Sequence, residues 1–177
     1  MRKIILSLAI SIDGRIVDKN GSFDWIHGDN DTKNNTKKQF DFTAFTKSCD
    51  SLISGKKAFK DIPVGEGCGF DHMKVYVLTH SKEKPPRENV QYIRGDLTEF
   101  VSALKQQNGS NIWIFGGASV SNILIKANLI DQYIIGFIPV IVGNGVRLFE
   151  DGNPLTRLHM KECTVTDGIV MAVYERE

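Results

Sequence analysis

The chain has 177 residues, 41% of them hydrophobic and 24% charged, which suits one domain (1–177) with a sizeable core. A formal net charge of +1 gives no overall electrostatic case for nucleic acid or an anionic membrane, and no apolar run approaches the ~20 residues of a membrane span. Cys49, Cys68 and Cys163 form no C-x-x-C pair and the four histidines no H-x-x-x-H pair, which argues against a disulfide framework or a metal site and fits a reducing cytoplasm.

Residues 1–10 begin like a signal peptide, but Asp13-Gly14-Arg15 stands where a small-residue cleavage site would be needed. Residues 3–10 therefore read as a first strand, apolar enough to be buried on both faces, and an Asp-Gly turn leaves it. Residues 18–31 are rich in Asp, Asn and Gly yet carry Phe23, Trp25 and Ile26. Such a loop either covers a core edge or forms one wall of a pocket.

Residues 32–48 are expected to be helical, with Phe42, Phe45 and Cys49 as the apolar stripe. Asp41, four before Phe45, can share that face and anchor a polar substrate or handle a proton. The alternative is a solvated helix carboxylate. Residues 50–54 read as a strand ending at Gly55-Lys56-Lys57, where a short helix starts. Two lysines at a helix start are electrostatically unfavourable without an anion, so this junction can receive a phosphate.

Residues 63–72 read as a glycine-rich loop and 74–78 as a strand ending at Thr79-His80-Ser81. Residues 82–89 form an exposed connection, and 90–93 a weak strand. A helix starts at Asp96, with Leu97, Phe100, Val101 and Leu104 at helical spacing, and Gly109 ends it. Residues 112–120 then form an apolar strand, a Gly-Gly pair and a helix start. Free N–H groups and the positive end of a helix dipole would converge there, suiting phosphate or pyrophosphate. The same pair also fits a tight connection with nothing bound.

Residues 130–142 make a long β-type run containing Pro139, which predicts an edge strand or a bend. Gly143-Asn144-Gly145 is a turn, and Arg147-Leu148-Phe149 follows. Residues 159–175 read as a hairpin turning at Asp167-Gly168. The alternation predicts an α/β fold: a mostly parallel sheet with helices on both faces and an antiparallel C-terminal hairpin. Ligands bind beyond the carboxyl ends of such strands. The apolar 130–142 strand and the hairpin suggest a homodimer through sheet edges.

Ser11-x-Asp13-Gly14-x-Ile16, Ser54-Gly55-Lys56-Lys57, Val77-Leu78-Thr79, Phe115-Gly116-Gly117-Ala118 and the run from Pro139 to Phe149 occur in this order along almost the whole chain. In this the chain resembles the dihydrofolate reductase-like superfamily, and more closely the reductase domain of riboflavin biosynthesis with its small stand-alone bacterial relatives. The resemblance implies a three-layer α/β/α sandwich and NADPH as cofactor, with Gly116 and Gly117 joined by a cis peptide. It assigns Gly116, Gly117, Ala118, Ser119 and Val120 to the pyrophosphate region. Gly55, Lys56 and Lys57, with Thr79 and His80, would hold the adenosine and its 2′-phosphate, Ala9, Gly14 and Ile16 would lie near the nicotinamide, and Leu78 and Phe115 are further cofactor-binding residues.

Asp41-Phe42-x-x-Phe45 resembles the segment that meets the pterin in dihydrofolate reductases. The resemblance thus makes Asp41 the catalytic candidate, with Phe45, Trp25 and Arg147 beside it as substrate residues. For a substrate phosphate, Arg147, or His72 with Lys74, is available. Asp13 is expected to fix the loop after the first strand. The implied reaction is hydride transfer to a small heterocyclic or carbonyl substrate, with 5-amino-6-(5-phosphoribosylamino)uracil first and dihydrofolate second. Three departures bear on this. Lys57-Ala58 replaces the usual Arg-x-Thr, Asp24-Trp25 replaces the Pro-Trp of the mobile loop, and residues 60–74 hold no arginine for a folate carboxylate. A nucleotide-binding module without turnover is the rival reading.

Overall fold

The computed structural model describes residues 1–62, 70–80, 82 and 85–177. In chain order the elements begin with β1 (Ile4–Ser11), β2 (Arg15–Asp18), α1 (Phe42–Lys47), β3 (Cys49–Gly55) and α2 (Lys56–Phe59). Next come β4 (Lys74–Leu78), β5 (Val90–Ile93), α3 (Leu97–Gln106), β6 (Asn111–Gly116) and α4 (Ala118–Lys126). The chain ends with β7 (Gln132–Ile138), β8 (Gly145–Arg147), β9 (Leu158–Thr166) and β10 (Ile169–Arg176).

Eight strands form one sheet in the order β5-β4-β3-β6-β1-β7-β10-β9. The pairs from β5 to β7 are parallel, and β10 is antiparallel to both β7 and β9. Side chains alternate across a strand, so β1 feeds two cores. Ile4, Leu6 and Ile10 meet Leu97, Val101 and Leu104 of α3 and Val120, Leu124 and Ile125 of α4. Ile5 faces the other way, toward Phe45, Leu52, Trp113 and Val173. A helical layer on each face gives the three-layer sandwich. No helix among the described residues is long and apolar enough to cross a membrane.

Local signals predicted most of these elements correctly. Asp96 caps α3 by accepting the N–H groups of Thr98 and Glu99. The final hairpin turns through Asp167 and Gly168, both at positive φ (48° and 73°), the geometry that matches the twist of paired strands.

Three expectations are corrected. The helix expected over 32–48 is only α1, because residues 32–41 carry no apolar stripe and are held by the hairpin instead. Thr36 and Val165 exchange hydrogen bonds of 3.0 Å, and the Asp167 N–H donates to Asn35 Oδ1 at 2.8 Å. The 130–142 strand is neither bent nor at an edge. β7 stops at Ile138, before Pro139, and lies between β1 and β10, so it has no free edge for a dimer. Lastly, β2 and β8 pair into a two-stranded ribbon where only turns were expected. Gly65, Gly67, Gly69 and Cys68 of the 63–72 loop, Ser81, and part of the 82–89 connection lie outside the described residues.

Candidate active site

Strand ends at Ser11, Gly55, Leu78 and Gly116 define the carboxyl edge of the sheet. Here β6 passes into α4. Gly116 has φ +110°, a conformation that side chains oppose, and its peptide bond to Gly117 is cis, as the resemblance implies. Gly117 is the N-cap of α4, and no side chain caps the helix. The first N–H groups of a helix have no partner within it, so the positive end of the dipole is presented at this bend. The bend is open: a Cβ placed on Gly117 would touch only Ile16 Cδ1, at 3.9 Å. Ala118 and Val120 are buried and seat the helix, while Ser119 is exposed.

The β3–α2 junction lies alongside. A Cβ on Gly55 would stand 3.3 Å from Val120 Cγ2, so the two glycine junctions adjoin. Lys56 and Lys57 are exposed, and Lys57 Nζ reaches to 3.9 Å of the Cβ position on Gly21, in the turn after β2. At the end of β4, Leu78 is half-buried, Thr79 buried and His80 exposed. Amide groups at one helix end and two lysines beside it form a set that fits a phosphorylated dinucleotide. Among the described residues there is no group of His, Cys, Asp and Glu able to hold a metal.

Next to Gly117, on the α1–α2 face of the sheet, is a cavity of about 500 Å³. Its floor is a row across three strands, Ala9 of β1 opposite Gly136 of β7 opposite Met171 of β10. A Cβ on Gly136 would stand 2.9 Å from Met171 Sδ, so a side chain there would have to push the Met171 thioether aside. The inner wall is aromatic. The Trp113 indole N–H donates to the Ser7 carbonyl at 2.9 Å, and the ring stands edge-on or tilted to Phe45 (5.3 Å), Phe70 (5.4 Å), Phe115 (5.4 Å) and Phe42 (5.8 Å). The outer wall is Ile16 and Val17 of β2 with Phe23 and Ile26 of the following loop. Phe23 and Ile26 line this cavity while remaining 43% and 40% exposed, so the loop serves as a pocket wall. Among the described lining residues Asp61 alone is charged.

Asp13 holds the outer wall in place. Its carboxylate accepts Ser11 Oγ at 2.6 Å and the N–H groups of Val142 and Gly143 at 3.0 and 2.8 Å. These bonds, the Ser11 one foremost, hold its carboxyl well below the usual carboxylate range. Arg15 donates from Nη1 to the Gly145 carbonyl at 2.9 Å, and the Leu148 N–H donates to the Gly14 carbonyl at 3.0 Å. The exit of β1 is thus tied to the segment around β8, which aims Ile16 and Val17 at the cavity. Fixing this loop is the role expected of Asp13.

Of the expected site residues, Ala9, Ile16, Phe115 and Gly117 line the cavity. The expected substrate residues do not. Asp41 is exposed and caps α1 by accepting the Ala44 N–H at 2.8 Å. Phe45 is buried behind Trp113. Trp25 donates its indole N–H to the Ser22 carbonyl at 3.2 Å, outside the lining. Arg147 is exposed on β8, opposite Arg15 in the ribbon. The pairing of His72 with Lys74 as a phosphate receiver is corrected: Lys74 opens β4 and His72 Nε2 lies 3.0 Å from the Cys49 carbonyl, at the opposite end of the strands from the cavity. Sequence reasoning missed Asp61, Phe70, Trp113 and Met171 as lining residues. Only the alternation of Trp113 and Phe115 along β6 carried a trace of the aromatic wall.

This fold, with its open diglycine bend at the strand ends, is that of the dihydrofolate reductase-like reductases. The chain itself belongs to the RibD C-terminal domain family, whose sequence model matches residues 2–171. It is 34% identical over 166 residues, 90% of each chain, to the uncharacterized protein YwjB of Bacillus subtilis. It is 33% identical to YyaP of the same organism, covering 98% of this chain and 94% of that one. Among solved structures it superposes on a protein of Shewanella sp. PV-4 named for riboflavin biosynthesis (TM-score 0.80, 24% identity, 99% of both chains). It also superposes on 56% of a Thermotoga maritima protein, a diaminohydroxyphosphoribosylaminopyrimidine deaminase/5-amino-6-(5-phosphoribosylamino)uracil reductase (TM-score 0.71, 17% identity, 99% of this chain). The family is one of reductases that generally use a nicotinamide cofactor, which makes this chain an oxidoreductase by membership.

Proposed function

We propose that the chain is an NADPH-dependent reductase that transfers a hydride to a small heterocyclic or carbonyl substrate. The reference compound is 5-amino-6-(5-phosphoribosylamino)uracil, the substrate named for the Thermotoga maritima neighbour. The observation that carries this reading is the uncapped start of α4 at Gly117, open on one side to the cavity and flanked on the other by the Gly55 junction. NADPH, when bound, supplies the hydride and leaves as NADP⁺.

The residues divide the work. Amide groups at the start of α4 favour the negative charge of a pyrophosphate. Lys56 and Lys57, with Thr79 and His80, offer cations and hydrogen-bonding groups to a phosphomonoester on the ribose. Ala9, Gly136 and Gly117 leave the floor low enough for a flat ring to lie against the sheet. The aromatic wall excludes water and holds a second ring over the first, so orientation supplies much of the rate.

Two measurements test the proposal. NADPH should quench Trp113 fluorescence saturably, and NADPH oxidation should follow on addition of an acceptor from a panel of aminopyrimidines, dihydropterins and small carbonyl compounds. Saturable binding without oxidation by any member would favour a nucleotide-binding module, and absence of binding would end the reductase reading.

A further inference from the structure

Asparagine is a poor helix former, yet Asn122 stands in the middle of α4 and is 2% exposed. A buried amide is costly unless both of its ends are bonded. Here both are. Asn122 Nδ2 donates to the Ala118 carbonyl at 2.8 Å and to the Leu148 carbonyl at 2.7 Å. Its Oδ1 accepts the Glu150 N–H at 3.1 Å and Asn153 Nδ2 at 2.7 Å. Two donor and two acceptor positions are filled, and the two carbonyls facing one end fix which way the amide points. The buried neighbour Ser121 bonds within its own turn, Oγ donating to the Gly117 carbonyl at 3.1 Å, whereas Asn122 reaches another part of the chain.

The partners of Asn122 belong to two halves of the site. Ala118 opens α4 directly after the Gly117 bend. Leu148 follows β8, and its own N–H donates to the Gly14 carbonyl at 3.0 Å. β8 pairs with β2, which carries Ile16 and Val17 of the outer wall. Ile16 Cδ1 in turn lies 3.9 Å from the Cβ position on Gly117, so the wall meets the bend. The ribbon that bears this wall has strands of four and three residues and stands apart from the main sheet. A strand pair of that size is marginal by itself, so its position depends on how its ends are tied. The Asp13 carboxylate ties one end, and Asn122 ties the other to the helix start.

Taking the reductase reading as its base, we infer that Asn122 is a positioning residue that locks the outer wall of the cavity to the first turn of α4. It thereby sets the ring end of the bound dinucleotide relative to its pyrophosphate end. The pyrophosphate needs only the helix amides, which Asn122 does not touch. The nicotinamide ring needs a wall already in place, and a wall that must be ordered on binding costs affinity and alignment. Asn122 therefore acts on one end of the cofactor and leaves the other alone.

The test uses the full chain, two ligands and amide hydrogen exchange. The ligands are NADPH and 2′-phospho-ADP-ribose, the same molecule without its nicotinamide. Asn122→Ala should weaken NADPH about tenfold and leave 2′-phospho-ADP-ribose within about twofold of the natural chain. Exchange should quicken at least about tenfold at residues 14–18 and 145–150 and stay unchanged in β1 and β6. If Asn122→Ala does not fold, the same split is read on Asn122→Ser, whose hydroxyl keeps a bond to the Ala118 carbonyl and is too short to reach Leu148. Equal weakening of the two ligands, or unchanged NADPH affinity, overturns the inference. Failure of the natural chain to bind either ligand overturns the cofactor reading instead. The exchange data then decide the role of Asn122 by themselves: faster exchange of the ribbon supports the lock, and unchanged exchange overturns it.

Discussion

The two faces of the sheet are covered differently, and the difference locates the site. On one face α3 and α4, ten and nine residues long, lie over a closed core in which Leu6, Val101, Ile112, Ile114 and Leu124 are fully buried. On the other, α1 and α2 have six and four residues, and loops do the rest of the covering. Short elements cannot fill the space that long helices fill, and what remains is the cavity of about 500 Å³. α4 serves both sides: its apolar stripe closes the first core while its N-terminus opens at the rim of the cavity. The larger of the two cores thus lies on the closed face, and the cavity opens beside the smaller one.

The sharpest way to break this division is Leu124→Ala. Leu124 is fully buried in the closed core, so its truncation should cost about 3–5 kcal/mol in denaturant unfolding. The fraction still folded should bind NADPH with the affinity of the natural chain. Weakened binding at full occupancy of the fold would show that the two faces are not separable. Next in size is Gly117→Val. The backbone there has φ −70° and the Cβ has room, so the chain should fold normally. The added methyls would occupy the space beside the helix amides, and NADPH affinity should fall at least about 100-fold, which corresponds to roughly 2.7 kcal/mol. An unchanged dissociation constant would remove the bend from the site.

Smaller effects sharpen the contrast. Lys56→Ala should weaken NADPH by about tenfold while NADH changes little, since one charge-assisted contact to the 2′-phosphate is removed. Equal losses for both cofactors would mean that Lys56 does not read that phosphate. Smallest is Asp41→Ala. Loss of the bond to the Ala44 N–H should lower stability by about 1 kcal/mol and leave turnover unaltered, whereas a tenfold drop in kcat would return Asp41 to catalysis.

How legible the chain was depends on how far apart the interacting residues lie. The strand–glycine–helix junctions at Gly55 and Gly116-Gly117 are local features, and both stand where their neighbours in sequence put them. The hairpin at Asp167-Gly168 and the cap at Asp96 were readable for the same reason. The stripe of Phe42 and Phe45 identified a real helix, but the polar residues before it do not form a helix, because Asn35 and Thr36 bond to a hairpin some 130 residues away. Pro139 marked a true boundary and a false edge: it ends β7, yet pairing on both sides of that strand depends on β1 and β10.

Sequence alone determined the alternation of strands and helices, the glycine bends at the strand ends, the lysines beside them and the family these features imply, since each is a matter of neighbouring residues and backbone sterics. Only the tertiary structure decided which side chains face the cavity. Phe23, Asp61, Trp113 and Met171 are scattered along the chain and share no local pattern; they meet because the order of strands in the sheet brings them together. The same order sends Asp41 to a helix cap and Arg147 to an outer ribbon, since a residue's spacing fixes its face on an element but not what that face meets.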